Sequence, residues 1–392
     1  MRMISFLMAL LLTVSAMTVV GFASDGAGGG TADAAVEGQL GMEIDCLGAI
    51  LMDAKTGTIF YEKNADEALP PASVTKIMTL LLVMEAIDDG KVKLTDRVSA
   101  SANAASMGGS QVYLKEGEEM SVEDLLKCVV IASANDAAVA LAEFVAGSEE
   151  AFVTRMNERA RELGMKTAHF ENTNGLDDTA ENHVLSARDI AIMSRELIKH
   201  EKILEYSSIW MDTVRDGAFG LTNTNRLIRF YKDATGLKTG STSKAKFCIS
   251  ATAKRDGMHL VCVIMGAPTR DVRNAIATKL LDYGFANYAL FEAAGQRLPE
   301  MKVLGGVENT CAVSYGDFAC ALKKGQEKSV ESKLEMKENI AAPVKKGTVV
   351  GKMTYTLDGA EIGSVDVVTT EDIGKIGYFG LLLRMIAGAI LK

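Results

Sequence analysis

Several common signatures of protein chemistry are missing from this sequence. Its six cysteines and four histidines form no CxxC and no Cys/His cluster at ligand spacing, so neither a metal site nor a cofactor is expected. No basic run interrupts a chain with 51 acidic residues, 42 basic ones and a formal net charge of -9, which argues against nucleic acid as a partner. There is no G-x-S-x-G, and His169, His183, His200 and His259 fall in loop or helix-end contexts, which disfavours a Ser-His-Asp hydrolase. His183 keeps two readings: it shapes a loop near a site, or it is structural. General disorder is excluded as well, because 48% of residues are hydrophobic and 24% charged. The 392 residues suffice for two domains with a sizeable core.

What is present begins with an address. Arg2 precedes the apolar run "MISFLMALLLTVSAMTVVGFA", which ends in the small residues Gly21 and Ala23. Residues 1–23 therefore read as a secretory signal peptide, with an uncleaved membrane anchor as the alternative because the run is long enough to span. Residues 24–40 are small, polar and aperiodic, as in a flexible linker. Cys128, Cys248 and Cys262 each sit in an apolar run, where a cysteine acts as a small hydrophobe. Cys311 and Cys320, nine positions apart in a strand-rich region, are left with pairing as an open question.

Hydrophobic periodicity organises the rest. Residues 43–62 read as a hairpin around "DAKTG", and 73–90 as an apolar helix. In "SVEDLLKCVVIASANDAAVALAEFVAG" two helices break at "SAND", and Ser121 with Asp124 makes a capping signature. Helical spacing returns at 149–163 and 186–200, then "LKTGSTSKAKFCISATAKRDGMHLVCVIMGA" reads as two strands joined at "RDG", and 272–290 as a last helix. Strands at both ends with helices between predict an α+β domain over 41–295 whose first and last strands share one antiparallel sheet. Short alternating segments predict a small all-β sandwich over 296–372. The tail, 373–392, predicts an amphipathic helix with Tyr378, Phe379, Leu382, Leu383, Met385 and Ile386 on its apolar face and Arg384 opposite. It is too short to span a bilayer, so an interfacial membrane helix is expected, with packing against the protein's own core as the alternative.

The stretch "PPASVTKIMTLLLVMEA", residues 70–86, holds the first candidate chemistry. Pro70-Pro71 followed by Ser73 reads as a helix start. The third position after a capping serine favours glutamate; here it is Lys76, whose charge opposes the positive end of the helix dipole. At spacing i, i+3 the two side chains share a face. The helix behind them is apolar nearly all round and hence buried, and burial lowers an ammonium's pKa. A lysine partly neutral near pH 7 can take the proton of the Ser73 hydroxyl. The bland alternative has Ser73 capping and Lys76 reaching solvent.

Two further elements carry suitable groups. Ser133-Ala134-Asn135, at the helix break, offers a hydroxyl that relays a proton and an amide that holds a carbonyl. Lys238-Thr239-Gly240 opens a strand, with two side chains for an anionic group and a glycine that lets a substrate backbone approach. Each motif occurs twice, the other copies being Ser241 with Lys244, Ser101-Ala102-Asn103 and Lys55-Thr56-Gly57. Only the copies at 73, 133 and 238 satisfy order and context together.

That ordered set resembles the penicillin-binding proteins and serine β-lactamases. "YEKNADEALPPASVTKIMT", "ASANDAAVALAE", "ELGMKTAHFENTNGLDD" and "GLKTGSTSKAKFCISATAKRDGM" extend the resemblance to the D-alanyl-D-alanine carboxypeptidases, the low-molecular-mass penicillin-binding proteins, over about 42–370. The resemblance implies a transpeptidase-like fold, an exported protein at the outer face of the cytoplasmic membrane or in the cell wall, and a peptidoglycan stem peptide ending in D-Ala-D-Ala as substrate. It implies that Ser73 attacks the carbonyl between the two D-alanines, Lys76 takes its proton and Ser133 passes one to the leaving amine. Asn135 would orient the substrate, backbone N–H groups of Ser73 and Ser241 would form the oxyanion hole, and Gly240 would let the substrate approach. Lys238 and Thr239 would hold the terminal carboxylate with Arg273, or with Arg270 in its place. β-Lactams would acylate Ser73 and leave slowly. Many relatives have histidine where this chain has Ser241, a change that keeps the backbone N–H. Two rivals remain: a serine β-lactamase, against which stands the lack of E-x-x-L-N between 135 and 238, and a catalytically weak wall scaffold.

Overall fold

In the computed structural model residues 43–176 and 180–390 are described, with 38, 40 and 41. The expected signal peptide lies outside the described residues, as does the expected linker apart from 38 and 40.

Five strands, β1 (Gly48–Asp53), β2 (Ile59–Lys63), β3 (Ala234–Thr242), β4 (Lys246–Arg255) and β5 (Met258–Ala267), form one antiparallel sheet in the order β2-β1-β5-β4-β3. The first strand thus lies beside the last, Gly48 opposite Met265, as the strand–helix–strand pattern predicts. Side-chain alternation divides the sheet between two cores. Ile50, Met52, Val261, Val263 and Met265 face one core, while Ala49, Leu51, Leu260, Cys262 and Ile264 face the other.

The first face is covered by α1 (Lys76–Asp88), α2 (Val122–Ile131), α3 (Asn135–Ala146), α4 (Glu149–Glu162) and α5 (Ala187–Leu197). Ile77 through Met84 are all buried, which is what a helix apolar on every side requires. Ser121 caps α2 by accepting from the Asp124 N–H, and α2 stops short of α3 at Ser133, whose φ of 63 is left-handed. The second face is covered by α6 (Arg270–Asn287) through Ile276, Ala277, Leu280 and Leu281.

Two expectations change here. The stretch after Leu237 read as two strands but contributes to three, because β3 and β4 turn at 243–245 on a bond from the Ala245 N–H to Thr242 Oγ1. The last helix ends at Asn287 and the chain extends at once, so the all-β unit draws on residues before 296. That unit pairs β6 (Tyr288–Ala293) with the later β9. Its strands continue as β7 (Gln296–Leu304), β8 (Thr310–Tyr315), β9 (Phe318–Lys323), β10 (Val330–Met336), β11 (Asn339–Ala341), β12 (Val349–Leu357) and β13 (Ala360–Thr369). The six-stranded sheet β10-β12-β13-β8-β7-β11 packs against the β6–β9 pair as a sandwich, with Phe318 stacked on Tyr355 at 4.2 Å. No disulfide joins the six cysteines; Cys311 on β8 and Cys320 on β9 belong to different sheets.

The tail forms α7 (Tyr378–Ile390). Four of its apolar residues are largely exposed: Tyr378 is 77% exposed, Phe379 79%, Leu383 68% and Met385 66%. Arg384 turns back to donate to Gly306 O, Val307 O and Asn309 Oδ1 at the turn between β7 and β8.

Candidate active site

Ser73 is not in the long helix but in a 3₁₀ turn (Ala72–Thr75) that precedes it, and α1 begins at Lys76. Neither element has a side-chain cap, which removes the alternative in which Ser73 merely caps the helix. Its hydroxyl faces Lys76 instead: Lys76 Nζ lies 2.8 Å from Ser73 Oγ. The same Nζ donates to Asn135 Oδ1 at 2.6 Å and to Asn174 O at 2.8 Å. Lys76 is fully buried, which removes the alternative of a side chain in solvent. Burial holds its amine well below the usual lysine range, and repulsion from Lys238 adds to the effect.

Asn135 opens α3 beside Ser133, and both ends of its amide are engaged within the protein, Oδ1 with Lys76 and Nδ2 with Gly108 O at 2.7 Å. Its neighbour Asp136 is buried, and its carboxylate accepts from the N–H groups of Val112, Leu114 and Ala137. Asp136 thereby pins the 108–114 loop over the helix start.

β3 arrives from the other side. Lys238 Nζ donates to Ser133 Oγ at 2.8 Å and to Thr239 O at 2.9 Å. Burial and then the charge of Arg273 push the Lys238 pKa down to about 7. Thr239 Oγ1 donates to Thr224 Oγ1 at 2.8 Å, and the Thr224 N–H donates to Ile131 O, so Thr224 ties β3 to the end of α2. Gly240 meets the serine turn: a Cβ there would stand 2.9 Å from Ser73 N and 3.0 Å from Val74 N. Arg273 is buried and donates to Cys248 O, at the β4 position opposite Gly240, whereas Arg270 is exposed. Burial and the nearby Arg270 lower the Arg273 pKa to about 10. Ser241 is exposed on β3, one residue past this contact.

Two of the duplicate motifs lie elsewhere, and the third starts at Ser241 on β3. Ser101 caps a short helix and Asn103 reaches Glu143 and Glu149. Thr56 bonds to Asp53 within the hairpin turn, and Lys55 pairs with Glu292. Ser241 and Lys244 are both exposed.

Sequence reasoning missed four participants. Asn174 acts through its backbone carbonyl, which its side chain does not advertise. Gly175, at φ 81, presses the loop onto the serine turn, and a Cβ there would fall 1.9 Å from Ala72 O. Its Asn-Gly context was the available signal. Thr224 and Asp136 gave none. Chemically, the arrangement joins a hydroxyl to a buried amine, with a second buried lysine on the facing strand bound to the Ser133 hydroxyl.

Comparison with known proteins gives a consistent pattern. A family model described as D-alanyl-D-alanine carboxypeptidase matches residues 33–269, and one described as penicillin-binding protein 5, C-terminal domain, matches 287–375. The D-alanyl-D-alanine carboxypeptidase DacF of Bacillus subtilis is 44% identical over 343 residues, covering 86% of this chain and 88% of its own. The crystal structure of penicillin-binding protein 5 from Haemophilus influenzae superposes with a TM-score of 0.75 at 34% identity, covering 85% of this chain and 98% of that one. Penicillin-binding protein D2 of Listeria monocytogenes in its ampicillin-bound form superposes with a TM-score of 0.57 at 31% identity, covering 62% of this chain and 98% of that one.

The contact at Gly240 is directly testable. Gly240→Ala must part β3 from the serine turn, and acylation by a fluorescent penicillin is expected to fall by more than about tenfold, with about 1–3 kcal/mol lost from stability. Unchanged acylation in a folded variant would mean the two elements do not need this contact.

Proposed function

The chain belongs to the D-alanyl-D-alanine carboxypeptidase family, and on that premise we propose how its residues carry the activity. The protein is a serine peptidase that removes the terminal D-alanine from peptidoglycan stem peptides ending in D-Ala-D-Ala, and β-lactam binding fits the same fold.

One observation carries the assignment of roles: the surroundings of Lys76 Nζ. Asn135 Oδ1 and Asn174 O can only accept, so they occupy two N–H groups of the amine. The third direction faces Ser73 Oγ, as an N–H when the amine is charged and as a lone pair when it is neutral. With the amine neutral, the Ser73 oxygen attacks the scissile carbonyl carbon and its proton passes to Lys76. Collapse of the tetrahedral intermediate releases the terminal D-alanine, whose amine takes a proton through Ser133. Water then cleaves the ester. The backbone N–H groups of Ser73 and Ser241 serve as the oxyanion hole, a role supported by the closeness of Gly240 to the turn. Lys238, Thr239 and Arg273 hold the substrate carboxylate, and Asn135 holds Lys76 while lining the substrate's path.

The decisive experiment compares D-alanine release from a D-Ala-D-Ala peptide by the wild type and Ser73→Ala. Release is expected to vanish in the variant, and equal release would overturn the assignment.

The two lysines also set a pH profile. As pH falls, Lys76 gains a proton and ceases to be a base, so kcat/KM drops on the acid side. As pH rises through about 7, Lys238 loses its charge and its grip on the carboxylate, so kcat/KM drops on the basic side as well. Lys238→Arg should move the basic limb upward; a limb that stays in place would assign it to another group.

We also read residues 1–23 as a signal peptide, consistent with a substrate that lies outside the cytoplasm, and α7 as an interfacial membrane helix. No helix among the described residues is long and apolar enough to cross a membrane. The exposed apolar face of α7 and the use of Arg384 as a tether support an element that lies on a lipid surface. Residues 24–392 should sediment with phosphatidylglycerol/phosphatidylethanolamine vesicles, and residues 24–372 should not. Equal sedimentation would place the membrane contact elsewhere.

A further inference from the structure

We propose that His183 is a positioning residue that holds the nucleophile's turn and the base's loop in register through the two nitrogens of one neutral imidazole. The proposal rests on Ser73 and Lys76 acting as nucleophile and base.

The bonding around the ring fixes its tautomer. His183 is buried, with Nε2 2.8 Å from Thr75 Oγ1. The Thr75 hydroxyl already donates its single proton to Ala72 O at 2.8 Å, so Nε2 must be the donor to it. On the other side the Glu171 N–H donates to Nδ1 at 3.1 Å, so Nδ1 carries no proton. Both bonds exist together only in the neutral Nε2–H form. Burial favours that form by lowering the ring's pKa to about 4, with Glu171 opposing the shift and His169 assisting it. The edge of the ring packs against Phe170, 5.7 Å between centroids.

Each nitrogen reaches a different part of the site. Thr75 stands between Ser73 and Lys76, and the carbonyl it grips belongs to Ala72, whose φ of 50 is strained for a residue with a Cβ. Fixing Thr75 therefore fixes the strained end of the turn that aims Ser73. Glu171 is the root of the loop whose Thr173 carbonyl accepts from Thr79 Oγ1 and whose Asn174 carbonyl accepts from Lys76 Nζ. Gly175 lets that loop lie against the turn itself. His183 thus joins the element that aims the hydroxyl to the element that orients the amine, without touching either reacting group. Activation of Ser73 depends on the Nζ–Oγ separation, so a ring that spans both sides acts on kcat rather than on carboxylate binding.

The two bonds can be separated by substitution. An asparagine at 183 ends near the Nδ1 position and can accept from Glu171 but not reach Thr75. A glutamine ends near Nε2 and can donate to Thr75 but leaves Glu171 without its acceptor. With the full chain, acylation by a fluorescent penicillin and turnover of a D-Ala-D-Ala peptide are measured alongside amide hydrogen exchange over 171–176. His183→Asn is expected to lose at least about tenfold in acylation rate and kcat, with KM unchanged and exchange near wild type. His183→Gln is expected to lose less, about threefold in acylation rate, while exchange over 171–176 speeds up. Ring ¹⁵N shifts of the wild type should report a protonated Nε2 and an unprotonated Nδ1 at neutral pH.

Equal losses in both variants, no loss in either, or the opposite tautomer would overturn the proposal. Mass mapping of the penicillin adduct on the wild type separates this outcome from failure of the underlying reading. An adduct away from Ser73 would refute the nucleophile, whereas an adduct on Ser73 with unaffected variants would refute only the role of His183.

Discussion

A buried amine without a carboxylate partner is the constraint around which this molecule is arranged. A buried ammonium is costly unless it is paired, and a buried ion pair would keep the lysine charged. Lys76 avoids both outcomes. Neutral acceptors, Asn135 Oδ1 and Asn174 O, take its N–H groups, and the nearest buried carboxylate, Asp136, is committed to backbone donors of the 108–114 loop. The charge of Asp136 opposes the lowering of the Lys76 pKa, but it ranks behind both desolvation and Lys238. The uniformly apolar α1 follows from the same requirement, since a helix with a wet side would readmit water to the amine.

A second buried lysine stands close to the first. Lys238 comes from β3, on the opposite wall, and is held by Ser133 Oγ and its own strand. The charge of Lys238 adds to the lowering of the Lys76 pKa, while its own is lowered by burial and by Arg273. Ser133 pays for its position with a left-handed backbone in the short gap between α2 and α3, a strain that an α-helix running through the gap would not allow.

Much of this was legible in the sequence for identifiable reasons. Periodicity separated the sheet from the helices because strand and helix repeats differ, and the Ser121 cap followed from local chemistry. The S-x-x-K pair at 73 was distinguished from the one at 241 by the apolar helix behind it. What escaped was whatever side-chain identity does not encode. Asn174 contributes a carbonyl, and the turn at 243–245 uses a Thr242 hydroxyl where no glycine or proline marks it. The strand at 288–293 merged with the preceding helix because its apolar residues continue the run. The bland alternative for Ser73, a cap, falls away because its hydroxyl meets Lys76 and not a backbone amide.

The cysteines carry a consequence of another kind. Burial pushes the thiols of Cys128, Cys248 and Cys320 to about 12, 11 and 11, so almost none of each is thiolate at neutral pH. Thiolate is the species that exchanges with disulfides and reacts with oxidants. In an oxidising compartment these side chains are therefore protected by the fold and not by pairing. The vulnerable interval is the time before the core closes, when the same thiols are ordinary and exposed.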